Sequence, residues 1–198
     1  MSQKQLYIIY VPGLGDSSVA NQRKAIKTWK WYGVSAELFQ MNWADDIAWS
    51  VKFEKLLARI DKLAAEGYSV GLVGASAGAS ACINAFAARP DKIVGIVSIA
   101  GKINHPESIG PKFRVGNPSF IESAYAAPKA LETLGPEQRR HILSIYSVKD
   151  GLLMRRDSRV PGARNRLTLV MGHPFVIAAQ ITLGAPGFIW FLKRQAKD

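Results

Sequence analysis

The pentapeptide Gly74–Gly78, with the sequence Gly-Ala-Ser-Ala-Gly, places a serine between two glycines. The apolar run Val70–Val73 precedes it and an alanine-rich segment follows. This order of strand, sharp turn and helix is typical of an exposed serine nucleophile. Because a strand and a helix cross closely at such a turn, glycines are needed on both sides of the serine. Ser76 is therefore the candidate nucleophile.

A serine hydroxyl is a weak nucleophile and needs a base within hydrogen-bonding reach. The chain has three histidines. His173 lies in a turn after the last predicted strand, and His105 lies in an irregular loop after the fourth. His141 begins the fifth strand, at the opposite end of the sheet from the serine. The pattern favours His173 as the base, with His105 as the reserve.

The base in turn needs a carboxylate that orients it. Asp150 follows the fifth predicted strand, directly before the strand that leads to His173. Neighbouring strands would bring the two side chains together. The alternative is that an aspartate before a glycine, here Gly151, only forms a turn. Other carboxylates that follow predicted strands are Asp16, Asp45 and Asp46.

Backbone N–H groups are the expected donors to an oxyanion. The N–H of Ala77 begins the helix after the serine, where the helix dipole favours negative charge. The second predicted donor is the N–H of Leu14, which lies between two glycines after the first strand. Candidates for substrate contacts near strand ends are Gly13, Trp43, Met154 and Phe175, and the large side chains among them are alternatively ordinary core residues.

Apolar runs separated by helical patterns predict about six strands that alternate with helices. The predicted strands are Leu6–Val11, Val34–Trp43, Ser69–Gly74, Ile93–Ile99, His141–Ser147 and Leu167–Met171. This order indicates an α/β fold, a three-layer sandwich with a mostly parallel sheet and helices on both faces. We expect one domain over residues 1–198. In such sheets functional groups collect at the carboxyl ends of the strands.

Four segments between the predicted strands have helical patterns. Ser17 or Ser18 would cap a first helix that continues to about Trp31. An amphipathic helix is predicted over Trp49–Glu66 and ends at Gly67, a residue type favoured there. Its predicted solvent face carries Lys52, Lys55, Arg59 and Lys62, and its apolar side includes Val51, Leu56, Leu57, Ile60 and Leu63. Further helices are predicted at Ala77–Ala88 and, in part, at Pro128–Leu134.

With these residues in place, the chain resembles the α/β-hydrolase superfamily over essentially its full length. Gly74–Gly78 looks like the family's nucleophile elbow, and the order Ser76, Asp150, His173 matches its Ser…Asp…His order. The resemblance implies a small serine hydrolase without a cap domain and with trimmed N-terminal strands. Gly101–Ser119 would form a small flap. Pro12 stands where the family often has histidine, so the resemblance supports Leu14 less than Ala77.

The chain has a formal net charge of +11 and a sequence pI of about 9.9. Such a balance favours anionic partners, although lysines that solvate helix faces are the simpler explanation. No nucleic-acid motif is present. The stretch 155–166 carries Arg155, Arg156, Arg159, Arg164 and Arg166, which either rim the site for an anionic substrate or lie in a solvated connection.

The single cysteine, Cys82, excludes an intramolecular disulfide and points to a reducing, cytoplasmic location. It is expected to be buried and inert. Phe175–Leu192 has no charged residue and predicts two core helices broken by glycine and proline rather than a membrane span. Peripheral membrane contact and a homodimer are the remaining possibilities for this apolar segment.

These patterns together predict an enzyme that cleaves a carboxylic ester or thioester through an acyl-enzyme on a Ser-His-Asp triad. No cofactor and no metal site are implied by the residue spacing. The alternatives are an acyltransferase or peptidase on the same triad, or a binding module that kept the fold without activity.

Overall fold

A computed structural model describes residues 4–197. The predicted domain range 1–198 also includes Met1–Gln3 and Asp198, which lie outside the described residues. Six parallel strands form one sheet with the order β2-β1-β3-β4-β5-β6. They are β1 (Leu6–Val11), β2 (Ser35–Leu38), β3 (Ser69–Ala75), β4 (Ile93–Ile99), β5 (Ile142–Ser147) and β6 (Arg164–Thr168). The predicted fold class is therefore confirmed.

Nine α-helices connect and flank these strands within residues 4–197. They are α1 (Ala20–Lys27), α2 (Trp49–Ala65), α3 (Ala77–Ala88), α4 (Pro111–Val115), α5 (Pro118–Thr133), α6 (Pro136–Arg140), α7 (Arg155–Ser158), α8 (His173–Ile181) and α9 (Ala185–Gln195). Short 3-10 helices lie at Thr28–Tyr32 and Pro106–Ser108.

The helices cover both faces of the sheet because strand residues alternate between two apolar cores. One core packs Ile9 and Leu72 against α2, α3 and α5. The other packs Ile8 and Val73 against α1, α8 and α9. All seven residues of β3 are buried, as expected for the strand at the centre of a doubly covered sheet. The carboxyl end of β3 thus lies within the packed core.

The last strand is β6, Arg164–Thr168, rather than the predicted Leu167–Met171. It pairs with β5 from Leu143↔Arg164 to Ser147↔Thr168. The prediction followed the apolar run, but β6 is an edge strand with little burial, so apolar content does not mark it. Leu169 and Met171 lie beyond the strand and are exposed.

The second strand is also shorter than predicted, because β2 ends at Leu38. The residues after it turn toward the loop that follows β1, where the Asp16 carboxylate accepts the backbone N–H of Asn42 at 2.6 Å. The first helix begins at Ala20 without a side-chain cap, so neither Ser17 nor Ser18 caps it. A turn closed by the N–H of Ser18 on the carbonyl of Gly15 precedes it.

Helix α2 confirms the predicted element but not every predicted face. Lys52 is buried, and its ammonium donates to the Ser119 hydroxyl at 2.9 Å and pairs with Asp45 at 2.8 Å. Val51, placed on the apolar side by the pattern, is exposed. Periodicity cannot distinguish a lysine that solvates a surface from one with a buried partner distant in sequence.

The predicted flap segment, Gly101–Ser119, contains helical structure, namely the 3-10 turn at Pro106–Ser108 and helix α4. Helix α5 spans Pro118–Thr133, so the helical part predicted at Pro128–Leu134 belongs to a longer helix that begins ten residues earlier. Helices α8 and α9 confirm the two predicted C-terminal helices. Within residues 4–197 no single helix is long and apolar enough to cross a membrane, although α8 and α9, bent by 63°, satisfy length and composition as a pair.

Candidate active site

Ser76 lies at the turn between β3 and α3 with φ 51° and ψ −117°. This backbone conformation is strained for a residue with a side chain. Both of its peptide groups are fixed, since its N–H donates to the carbonyl of Ile99 at 3.0 Å and its carbonyl accepts the N–H of Lys102 at 3.1 Å. The strain is therefore held by the neighbouring strand β4 and the segment that follows it.

The flanking glycines have the role that the sequence predicted. A Cβ atom on Gly74 would lie 2.6 Å from the Cα of Ala79, and one on Gly78 would clash with the carbonyl oxygen of Val11. Both contacts are with backbone atoms that cannot move aside. Larger residues would thus force α3 away from the sheet and displace the serine.

His173 begins α8, directly after Gly172. Its Nε2 lies 2.8 Å from the Ser76 hydroxyl oxygen, and its Nδ1 lies 2.9 Å and 3.0 Å from the two carboxylate oxygens of Asp150. An ionised carboxylate only accepts hydrogen bonds, so Nδ1 carries the proton and Nε2 is left to accept. In this arrangement the Ser76 hydroxyl donates to His173, which is the geometry for removing its proton.

The Asp150 carboxylate is anchored by its own loop. It accepts the backbone N–H groups of Leu152 at 3.1 Å and Leu153 at 2.8 Å, and it is buried. Burial alone raises the pKa of this carboxyl, but the hydrogen bonds from His173, Leu153 and Leu152 outweigh it, so the net pKa lies below the ordinary aspartate value. The group is thus held ionised beside the histidine.

The loop that carries Asp150 and the loop that leads to His173 are connected by hydrogen bonds. The N–H of Gly172 donates to the carbonyl of Lys149 at 2.9 Å, and the Ser147 hydroxyl donates to the carbonyl of Val170 at 2.6 Å. Both bonds join residues that lie just before Asp150 and His173 in the chain. The separation of the two side chains is therefore set by the backbone and not only by their own hydrogen bond.

The two predicted oxyanion donors lie beside the serine. Ala77 is the first residue of α3, and Leu14 lines the cavity into which Ser76 opens. Within residues 4–197, the N–H groups of Leu14 and Ala77 donate to no backbone carbonyl. Gly13 allows the loop to approach, because a Cβ there would lie 2.8 Å from the Cβ of Ser76.

Trp43 has a different position from the one predicted. It is fully buried and is not among the residues that line the cavity at Ser76, and its indole N–H donates to the carbonyl of Pro12 at 3.1 Å. Its backbone N–H also donates to the carboxylate of Asp16 at 3.3 Å. Trp43 and Asp16 thus fix the loop that presents Gly13 and Leu14. The carboxylate of Asp16 is bound there by backbone N–H groups, whereas Asp150 contacts His173.

A cavity of about 470 Å³ opens above Ser76 and His173. Its other apolar walls come from Leu14, α1, the flap segment, α5, the loop after β5, and α8. The lining residues include Ile109, Phe113, Phe120, Leu152, Leu153, Ile177 and Ile181. Met154 and Phe175 do not line it and are exposed. Of the four predicted substrate contacts, Gly13 lines this cavity, whereas Trp43, Met154 and Phe175 do not.

Sequence reasoning missed a buried ion pair in the cavity wall. The Lys102 ammonium lies 2.9 Å from the Asp157 carboxylate, with both side chains almost fully buried. Lys102 also donates to the Ser108 hydroxyl at 2.6 Å. Burial lowers the pKa of Lys102, and the charge of Asp157 opposes that shift. The pair joins the flap segment to α7, and no local pattern marks two charges that lie far apart in sequence.

The other candidates lie elsewhere. His105 is exposed and contacts Glu107, and the Nδ1 of His141 lies 2.9 Å from the carbonyl of Val94, far from the serine along the sheet. None of the five arginines in the stretch 155–166, which lies wholly within the described residues, is among the residues that line the cavity above Ser76. Cys82 is fully buried, and burial raises its pKa, as expected for an inert thiol.

No protein-family model matches the sequence, and no curated relative was found by sequence similarity. Solved structures do match. A carboxylesterase of the Thaumarchaeon Nitrososphaera gargenis is similar over 98% of this chain and 93% of its own, with 12% identity and a TM-score of 0.70. A metagenomic carboxyl esterase covers 100% of this chain and 77% of its own, at 17% identity and a TM-score of 0.69. A hydrolase from Oleispira antarctica is similar over 98% of this chain and 92% of its own, at 13% identity and a TM-score of 0.65. Together with the parallel sheet and the turn at Ser76, these likenesses identify the fold of this chain as that of the α/β-hydrolase superfamily.

Proposed function

We propose that the protein is a serine hydrolase that cleaves a carboxylic ester or thioester through an acyl-enzyme. The observation that carries the proposal is the continuous hydrogen-bonded path from Ser76 through His173 to Asp150 at the floor of an apolar cavity. The esterase and hydrolase names of the structural neighbours support the same reaction class.

In the first half of the reaction, the Ser76 oxygen attacks the acyl carbonyl while Nε2 of His173 takes the hydroxyl proton. The carbonyl oxygen becomes an oxyanion that accepts from the N–H groups of Leu14 and Ala77. His173 then gives its proton to the leaving alcohol or thiol as the bond to the carbonyl carbon breaks. Asp150 stabilises the imidazolium during this transfer and keeps its proton on Nδ1.

In the second half, a water molecule attacks the acyl-enzyme and His173 takes a proton from it. The second tetrahedral intermediate collapses, Ser76 regains its proton, and a carboxylic acid is released. The cavity volume lies in the range that accommodates small-molecule ligands. Its apolar walls favour an acyl chain of hydrocarbon character, with Phe113 and Ile177 on two of the lining elements.

Labelling with a fluorophosphonate probe tests the proposal, because the probe forms a covalent bond only with an activated serine. We expect labelling of the wild type and none of the Ser76→Ala and His173→Ala variants. Ser98→Ala is the matched control: Ser98 pairs in register with Gly74 on the adjacent strand, and its hydroxyl has no hydrogen-bond partner in the part of the chain described. Unchanged labelling of Ser76→Ala would exclude Ser76 as the nucleophile.

Substrate comparison then distinguishes the alternatives on the same triad. Trapping the acyl-enzyme with hydroxylamine and comparing matched ester, thioester and amide substrates separates hydrolysis of esters from peptidase action. Faster acyl transfer to an added alcohol than to water would indicate an acyltransferase. A wild-type protein that neither labels nor hydrolyses any of these substrates would be a binding module that kept the fold.

A further inference from the structure

Five large apolar side chains are exposed on the loops after β5 and β6 and on the first turn of α8. This apolar rim consists of Leu152, Met154, Leu169, Met171 and Phe175, whose side chains are between 48% and 80% exposed. Isolated exposed apolar residues are common, but a continuous group on a soluble surface usually marks an interaction site. The rim therefore needs an explanation beyond the packing of the fold.

The backbone places the rim at the mouth of the cavity above Ser76. The loop after β5 and the loop after β6 are joined by the bond from Gly172 to Lys149, and each contributes two of the five side chains. Leu152 lines the cavity itself, and Phe175 lies two residues after His173. A surface that covers the rim would thus lie directly over the candidate site.

The exposed charges between residue 148 and residue 175 have one sign. From residue 148 to residue 175 the only carboxylates are Asp150 and Asp157, and both are buried. The cations that stand next to the rim residues in the chain are Lys149, Arg155 and Arg156; all three are exposed, and none forms a salt bridge within residues 4–197. Arg164, in contrast, begins β6 and lies at the opposite edge of the sheet. The loop after β5 thus combines exposed apolar side chains with exposed positive charge.

This combination favours one kind of partner. A second copy that docks by a two-fold axis would place the same cations against each other without carboxylates to pair them. A nucleic acid would satisfy the cations but leave the exposed leucine, methionine and phenylalanine side chains against phosphate and water. An anionic lipid surface satisfies both, because headgroups attract the cations while the apolar side chains enter the acyl region.

We propose that the apolar rim and its cations form a docking surface for anionic lipid membranes. Docking on this surface turns the mouth of the cavity toward the bilayer. It does not depend on the reaction at Ser76, so the Ser76→Ala variant binds membranes like the wild type. The binding experiment therefore succeeds or fails independently of the proposed hydrolase activity.

Co-sedimentation of the full chain with vesicles measures this docking. We expect binding to vesicles of phosphatidylcholine mixed with phosphatidylglycerol, and much weaker binding to phosphatidylcholine alone. Leu169→Gln and Met171→Gln each lower the partition coefficient by about tenfold, because each removes an apolar side chain from the acyl region. Lys149→Gln and Arg155→Gln each lower it by about fivefold, and added salt weakens the wild type further.

Trp31→Gln is the matched control. Trp31 is as exposed as the rim residues but precedes β2, at the edge of the sheet where the parallel strands begin. Its substitution leaves the partition coefficient unchanged, and thermal unfolding checks that every variant folds. Equal binding to both vesicle types, or rim variants that bind like the wild type, would overturn the proposal. So would light scattering that shows a dimer dissociated by Met171→Gln.

Discussion

Replacing Asp150 by asparagine tests the candidate triad with the smallest change in shape. The Asp150 Oδ1 atom accepts from the N–H groups of Leu152 and Leu153, so the amide oxygen of asparagine must take that position. The amide NH₂ then stands about where Oδ2 lies, 3.0 Å from Nδ1 of His173, and its protons oppose the proton on Nδ1, which keeps only the amide oxygen, 2.9 Å away, as an acceptor. We expect this repulsion to shift the imidazole proton to Nε2, which faces the Ser76 hydroxyl and then can no longer accept from it.

We expect kcat to fall by about 10⁴-fold, the loss typical when a triad histidine is held in the wrong tautomer. This corresponds to about 5 kcal/mol of transition-state stabilisation. The assay is the hydrolysis of a p-nitrophenyl ester at neutral pH, with kcat and KM measured separately. Since Asp150 does not line the cavity, KM changes little. Activity within about tenfold of the wild type would refute the assigned role.

The same variant gives a pH test. The pKa of Asp150 is lowered in the folded protein, so its ionised form stabilises the fold at every pH above the unfolded value of about 3.9. That contribution is lost as the pH falls through the lower, folded pKa. The difference in unfolding free energy between wild type and Asp150→Asn is therefore largest near neutral pH and decreases below about pH 4. A difference that grows in acid would contradict the lowered pKa.

Two further substitutions test the surroundings of the serine. Lys102→Met leaves the buried carboxylate of Asp157 without its partner and should lower the unfolding free energy by about 3–5 kcal/mol. The double variant Lys102→Met with Asp157→Leu should lose less unfolding free energy. Chemical denaturation measures both variants, and equal losses would contradict the pairing. Gly13→Ala introduces a Cβ 2.8 Å from that of Ser76, so the loop that carries Leu14 must move away from the serine. We expect kcat to fall by about 10²-fold with little loss of stability. Unchanged ester hydrolysis would show that this loop does not hold the oxyanion.

The elements that could be predicted from the sequence are those with local signals. Gly74–Gly78 combines a buried strand, a turn and a helix within a few residues, so its geometry follows from local sterics. His173 and Asp150 come together because each follows a strand, and parallel neighbours end at the same edge. The fold class follows from the same alternation of strands and helices.

The features that escaped prediction depend on partners distant in sequence. Lys102 lies in the flap segment and Asp157 in α7, and Lys52 is buried because the hydroxyl of Ser119 and the carboxylate of Asp45 receive its ammonium. A side-chain pattern within one helix contains no information about such partners. The position of Trp43 at a predicted strand end indicates a substrate contact, but its indole N–H instead donates to the carbonyl of Pro12 in the loop that presents Gly13 and Leu14. The bounds of edge strand β6 could not be predicted from apolar content, because its residues are mostly polar and exposed.

The flap segment is fastened at both ends and carries cavity walls between them. At one end the N–H of Lys102 donates to the carbonyl of Ser76, and at the other the Ser119 hydroxyl donates to the carbonyl of Trp43 at 3.3 Å. Residues 109–117 lie between these attachments and include Phe113, which faces the cavity. Loops of other length or composition grafted there would therefore change the cavity walls while the turn that holds Ser76 keeps its position.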